Sequence, residues 1–155
     1  MIDEIEPLAA ALWFRRIEMI GRGELGGVES SLRHAAHLLQ LTPQPFRHVV
    51  RLTVDEETFE SLLEAGQFDT AARYLVAQPT ALFVDEVPGD PVRATISCAI
   101  LGRAIRGTGD SVATAVLDAW TTCLLALRAE YGADLLSLAG QSPHRDQSER
   151  HRQSS

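Results

Sequence analysis

The sequence predicts an α+β domain: a small, mainly antiparallel three-stranded sheet packed by a long C-terminal helix, with helices at the N-terminus. Three observations carry that prediction. Val92, Ala94, Ile96, Cys98 and Ile100 are apolar at alternate positions, which is the period of a strand with one buried face. Val112, Val116, Ala119, Trp120, Cys123, Leu124 and Leu127 recur at spacings of three and four, which is one face of a helix. Between Thr80 and Val92, Pro88-Gly89-Asp90-Pro91 places Pro second and Gly third in a type II turn, so two strands should meet there as an antiparallel hairpin.

Taken in order, Pro7–Ile20 is an expected helix. Acids precede it, Pro7 suits a first turn, and Trp13, Ile17 and Ile20 share a face that Phe14 and Met19 widen. Val28–Leu41 is a second, with Val28, Leu32, Ala35, Ala36 and Leu39 as its apolar stripe. Phe46–Val54 alternates and is expected as the first strand, with His48 on its apolar face. Asp55 caps a helix that Gly66 ends, and a further helix runs from Gln67 to about Gln78. That pair resembles a single tetratricopeptide-type hairpin, but no second copy exists, and one copy cannot bury its face alone.

The second strand is Thr80–Val87. The third runs from Val92 to Arg106, with Gly102 marking a bulge or bend inside it. Gly107 and Gly109 suggest backbone angles that other residues avoid, and Asp110 or Ser111 can cap the final helix, Ser111–Tyr131, which Gly132 should stop. Ala133–Ala139 adds a short helical tail. Beyond it no apolar residue remains as an anchor, so residues 1–139 are expected as one domain and residues 140–155 as a disordered polar tail.

All 14 cations are Arg; Lys and Asn are absent, as expected of a GC-rich bacterial or phage genome. The net charge of −7 argues against a general duplex-binding surface, which needs clustered cations, so nucleic acid is an unexpected partner. Cys98 and Cys123 both fall on apolar faces and read as small buried hydrophobes of a reducing compartment, not as a disulfide or metal pair. Asp3, Glu4 and Glu6 stand where an export signal carries positive charge, and no run reaches about 18 apolar residues, so a cytoplasmic protein with no membrane partner is expected.

Two places invite a chemical reading. Gly21-Arg22-Gly23-Glu24-Leu25-Gly26 matches the glycine pattern of dinucleotide sites. That fingerprint needs a buried strand immediately before it, and the residues here read as helix, so the expectation is a helix–helix connection with no cofactor. The strand-to-helix corner is the better candidate. There Arg103, Arg106, the Gly107-Thr108-Gly109 backbone and the helix start at Ser111 would meet an anion, with His48 as a further ligand or base. The competing reading is that Asp110 or Ser111 caps the helix and the arginines are solvated. His34 and His37 share a helix face but lack an evident third ligand, so no metal site is expected.

Locally the strand–Gly-x-Gly-Asp-Ser–helix order, on Gly107, Gly109, Asp110, Ser111 and Ala115, resembles the small hairpin-plus-helix domains of HicB-type antitoxins. The resemblance spans about a quarter of the chain, and no activity is carried over from it. No catalytic set is assembled, and the first and last helices carry surplus apolar surface. The expected function is therefore a non-enzymatic interaction or regulatory domain whose partner is another protein or itself, as an oligomer. The alternatives are a small ligand-binding protein or enzyme with an anion site at the corner, or a nucleic-acid-associated regulator.

Overall fold

The computed structural model describes residues 2–43, 52–76 and 80–140, with side chains from 9 to 130 within those spans except at 80 and 81. The elements are α1 (Ile2–Gly21), α2 (Val28–Gln40), α3 (Glu56–Glu64), α4 (Phe68–Arg73), β1 (Thr80–Asp85), β2 (Val92–Cys98), β3 (Arg103–Gly109) and α5 (Val112–Gly140). The fold is α+β, with one three-stranded antiparallel sheet in the order β1-β2-β3 packed against α5.

The turn between β1 and β2 is as expected: Asp90 N–H donates to Val87 O at 3.0 Å around Pro88 and Gly89. The long strand expected from Val92 to Arg106 is instead a second hairpin. Cys98 pairs with Arg103, and Ala99–Gly102 reverse the chain. Gly102 N–H closes the turn on Cys98 O at 2.9 Å. Gly102 has φ +71°, a left-handed angle that a side chain resists. A straight strand of that length would span roughly 50 Å, well beyond a small core. Folded back, the same residues make two strands of 7 residues each that a single helix can cover.

The expected strand Phe46–Val54 falls mostly outside the described residues; its described end, 52–54, is not strand. Thr53 is tied there to Tyr74 O by both its N–H and its hydroxyl, at 3.3 and 3.0 Å. Among the described residues the sheet has three strands, and two of them, β2 and β3, come from the one long strand expected.

One face of the sheet is core. Ala94, Ile96 and Cys98 of β2 and Ile105 of β3 are buried against α5. Gly107 shows why α5 lies so close. A Cβ there would sit 2.2 Å from Ala119 N and 2.7 Å from Ala115 O. Neither Gly107 nor Gly109 has positive φ, so their expected backbone role is corrected: at this crossing small size matters, not conformational freedom. The opposite face is uncovered among the described residues. Phe83, Thr95 and Arg106 lie side by side across it, and Phe83 is 67% exposed.

On its other side α5 packs along α1. Trp13, Phe14, Ile17 and Ile20 meet the apolar stripe of α5 in one core cluster with Val116, Trp120, Leu124 and Leu127. Trp13 Nε1 donates to Leu38 O at 2.6 Å, which ties α1 to α2. Arg128 lies 5.8 Å from the Phe14 ring centroid and pairs with Glu18 at 3.1 Å, closing the far end of that contact. Residues 112–130 of α5 are long and apolar enough to cross a membrane by length and composition, but 61% of that window is buried inside the protein.

Two helix boundaries differ from expectation. α5 continues through Gly132 to Gly140. An interior glycine costs only about 1 kcal/mol, and Ala133, Leu135 and Leu136 after it are strong helix formers. α1 begins at Ile2, ahead of Pro7, so Asp3 and Glu4 enter the turn where the helix dipole favours acids. α3 begins as the sequence implies, with Asp55 Oδ1 accepting from Thr58 N–H at 2.7 Å. α3 and α4 pack together and against α2, with Phe59, Leu63, Ala71 and Ala72 buried. α4 stops at Arg73, short of the Gln78 expected.

Candidate functional site: a cleft between two glycine-bearing corners

A cleft of about 410 Å³ opens where the α1–α2 connection meets the β3–α5 corner. Both stretches singled out in the sequence contribute to it, from opposite sides. One wall is the end of α1 with Gly23, Gly26, Gly27 and the first turn of α2. The other is Thr108 of β3 with Thr114, Leu117 and Asp118 of α5.

Local chemistry explains the first wall. Gly23 and Gly26 have φ of +72° and +100°, so the connection turns twice through left-handed angles within a few residues. Gly21 lets α1 approach α5: a Cβ there would lie 3.1 Å from Thr121 Oγ1. The glycine pattern thus serves a helix–helix connection, as expected. Gly27 is the N-cap of α2, with extended backbone and no side-chain cap hydrogen bond. The first helical bond is Ser31 N–H to Gly27 O at 2.9 Å. Ser31 is 5% exposed and lines the cleft, and its hydroxyl bonds to no protein group among the described residues.

The second wall rests on a helix whose own N-terminus is satisfied. Ser111 and Thr114 cap each other: Ser111 N–H donates to Thr114 Oγ1 at 3.0 Å, and Thr114 N–H to Ser111 Oγ at 3.2 Å. Ala113 N–H donates to Asp69 Oδ1 of α4 at 2.9 Å. Asp118 Oδ2 accepts from Thr108 N–H at 2.9 Å, covering part of the outer edge of β3. Asp118 Oδ1 has no hydrogen bond among the described residues, so one carboxylate oxygen is available to a ligand.

The residues expected to form the anion site do not gather. Arg103 pairs with Glu130 of α5, at the far end of β3 from the corner. Arg106 lies on the opposite sheet face, since successive strand residues alternate. Gly107 and Gly109 are packed against α5, and Ser111 is a cap. His48 lies outside the described residues. His34 Nδ1 donates to Ser30 O at 2.8 Å, while His37 is exposed. Cys98 and Cys123 are both free thiols in the core. Burial, then the adjacent Cys98, pushes the Cys123 thiol up to about 12.

Sequence reasoning missed Asp118 and Ser31. Asp118 had a visible signal: it is the sole charged residue from Val112 to Leu127 in an otherwise apolar and hydroxyl-bearing helix. Ser31 had none, because its neighbours across the cleft are distant in sequence.

No family model matches this chain, and neither the curated proteins nor the solved structures contain a significant match. The functional reading therefore rests on the geometry of the cleft.

Proposed function

We propose that the protein is a small-ligand-binding domain whose site is the cleft between the glycine-rich connection and the β3–α5 corner. The observation that supports this is the pairing in one concavity of the Ser31 hydroxyl, which has no protein partner among the described residues and is open to the cleft, with the half-used Asp118 carboxylate. Ligand sites are typically concave, mostly apolar and furnished with a few polar groups, and this cleft lies within their usual range of roughly 300–1,000 Å³. Ile20, Val28 and Leu117 supply its apolar surface.

The test is a screen of metabolite-sized compounds by thermal shift and amide NMR, run beside Val28→Tyr. Val28 is half-buried, lines the cleft and opens α2, so a ring there narrows the cleft. A ligand at about 100 times its dissociation constant stabilises by about 2.7 kcal/mol, or roughly 5–10 °C, in the native chain. Val28→Tyr should lose that shift. If no compound of any class moves the Gly23, Gly27 or Ser31 amides, the proposal fails.

Self-association is the second reading. The Trp13 and Trp120 faces that motivated it pack within the chain, at 4% and 3% exposure. What favours it is Phe83 on the edge strand β1 of the uncovered sheet face, a site where a second copy of the chain would bury an aromatic ring. Sedimentation at high micromolar concentration, with Phe83→Ser as the control, separates a dimer through this face from a monomer.

A further inference from the structure

We infer that the ligand of this cleft is a small aliphatic amino acid, held by its carboxylate at the N-terminus of α2 and by its ammonium at Asp118. The inference rests on the cleft being a binding site and adds the class of molecule. Its first ground is the α2 terminus. α3 is capped by Asp55, and α5 by Ser111 together with Asp69, but α2 begins at a glycine with no side-chain cap. The N–H groups of Val28, Glu29 and Ser30 bond to nothing in the protein among the described residues. Such N–H groups and the helix dipole favour an anion.

The second ground is independent of the helix end. Ser31 is 5% exposed as a residue and lines the same cleft, and its hydroxyl has no partner among the described residues and is open to the cleft. A carboxylate oxygen at the α2 terminus would accept from it in place of water.

Charge decides which anion. Asp118 is the sole charged residue lining the cleft, and no Arg lines it. A phosphate dianion would meet that carboxylate with no counter-charge. A monoanionic carboxylate carrying its own ammonium satisfies both ends at once. Ile20, Val28 and Leu117 leave an apolar surface for a short aliphatic side chain. The volume of about 410 Å³ suits a molecule of that size and leaves little room for a nucleotide.

The probes are L-alanine, L-valine and L-leucine, with valinamide, isovalerate and inorganic phosphate as comparisons, each titrated against the labelled full chain. The expected result is saturable movement of the Val28, Glu29 and Ser31 amides with at least one amino acid. Valinamide and isovalerate should each bind at least 10-fold more weakly, because each lacks one of the two charged contacts. Gly27→Asp supplies the missing cap from within. Its backbone, φ −78° and ψ −170°, suits that residue. This variant should melt higher than the native chain yet lose amino-acid binding by 10-fold or more. Equal binding by Gly27→Asp, or binding of isovalerate as tight as that of valine, overturns the proposal. If other compounds move the cleft amides but no amino acid does, the ligand class is wrong while the cleft stands. If nothing moves them, the binding site itself is refuted.

Discussion

Replacing Gly107 by alanine should be among the most damaging single-methyl changes available to this fold. The added Cβ would lie 2.2 Å from Ala119 N, 2.7 Å from Ala115 O and 2.8 Å from Ala119 Cα. All three are backbone atoms of α5, so no rotamer change relieves the clash. Ordinary contact begins near 3.4 Å, so α5 must withdraw from β3 by ~1 Å or more. A gap of about 0.5–1 Å forfeits a quarter to a half of each dispersion contact across the interface. Overpacking typically costs about 1–3 kcal/mol and sometimes more. A clash of backbone against backbone belongs at the upper end, so about 3 kcal/mol is expected, or a fall of roughly 6–12 °C in Tm. Urea unfolding followed by tryptophan fluorescence and circular dichroism would measure it. Gly102→Ala is the control. Its Cβ meets nothing within 4 Å, and only its φ of +71° resists, which costs about 1–2 kcal/mol. A Gly107→Ala protein no less stable than Gly102→Ala would refute the reasoning that close approach of α5 demands this glycine.

Trp13→Phe removes the donor to Leu38 O and leaves a small void in the α1–α2–α5 contact, so it should cost about 1–3 kcal/mol in the same assay. Arg33→Gln should flatten the acid limb of stability. Hydrogen bonds from Arg33 hold the Glu60 carboxyl below the usual carboxylate range, as Thr58 does for Asp55. A depressed carboxyl contributes stability above its unfolded value, and that contribution is lost as pH falls through its lower folded value. The native chain should therefore lose urea resistance progressively below about pH 4, and Arg33→Gln should lose less over the same range. Thiol labelling at about pH 8 should leave Cys123 unmodified until the chain unfolds, because its thiol, raised to about 12, carries almost no thiolate there. Rapid native-state labelling would show that the core around Cys98 and Cys123 opens locally.

Much of the fold was legible because it follows from local patterns. Asp55 and Ser111 were recognisable caps, since a side-chain oxygen one to three residues from a helix start satisfies its orphan donors wherever the helix packs. The Pro88-Gly89 turn was legible for the same reason. The hairpin at Ala99–Gly102 was not. Apolar residues on both sides of it alternate with one period, and a reversal preserves that period as well as a straight strand does. The α5 boundary was misjudged because a helix interior tolerates glycine when strong helix formers follow.

The chain by itself determined the alternation of β2, the breadth of the α5 apolar face, the turn at Pro88-Gly89 and the acidic charge. These are properties of residues within one helical turn or one strand period of each other. Only the tertiary structure decided where the surplus apolar surface goes: α1 and the sheet cover α5 from two sides, so Trp13 and Trp120 are core and not interface. It also decided the site. Arg103 and Arg106, close in sequence, are parted by the alternation of β3, and Arg103 is drawn to Glu130. Ser31 and Asp118, 87 positions apart by their numbering, line one cleft because α1 and β3 bring both ends of the fold against the same turn of α5. A contact of that range leaves no periodicity in the sequence, since it depends on how whole elements pack and not on the order of residues within them.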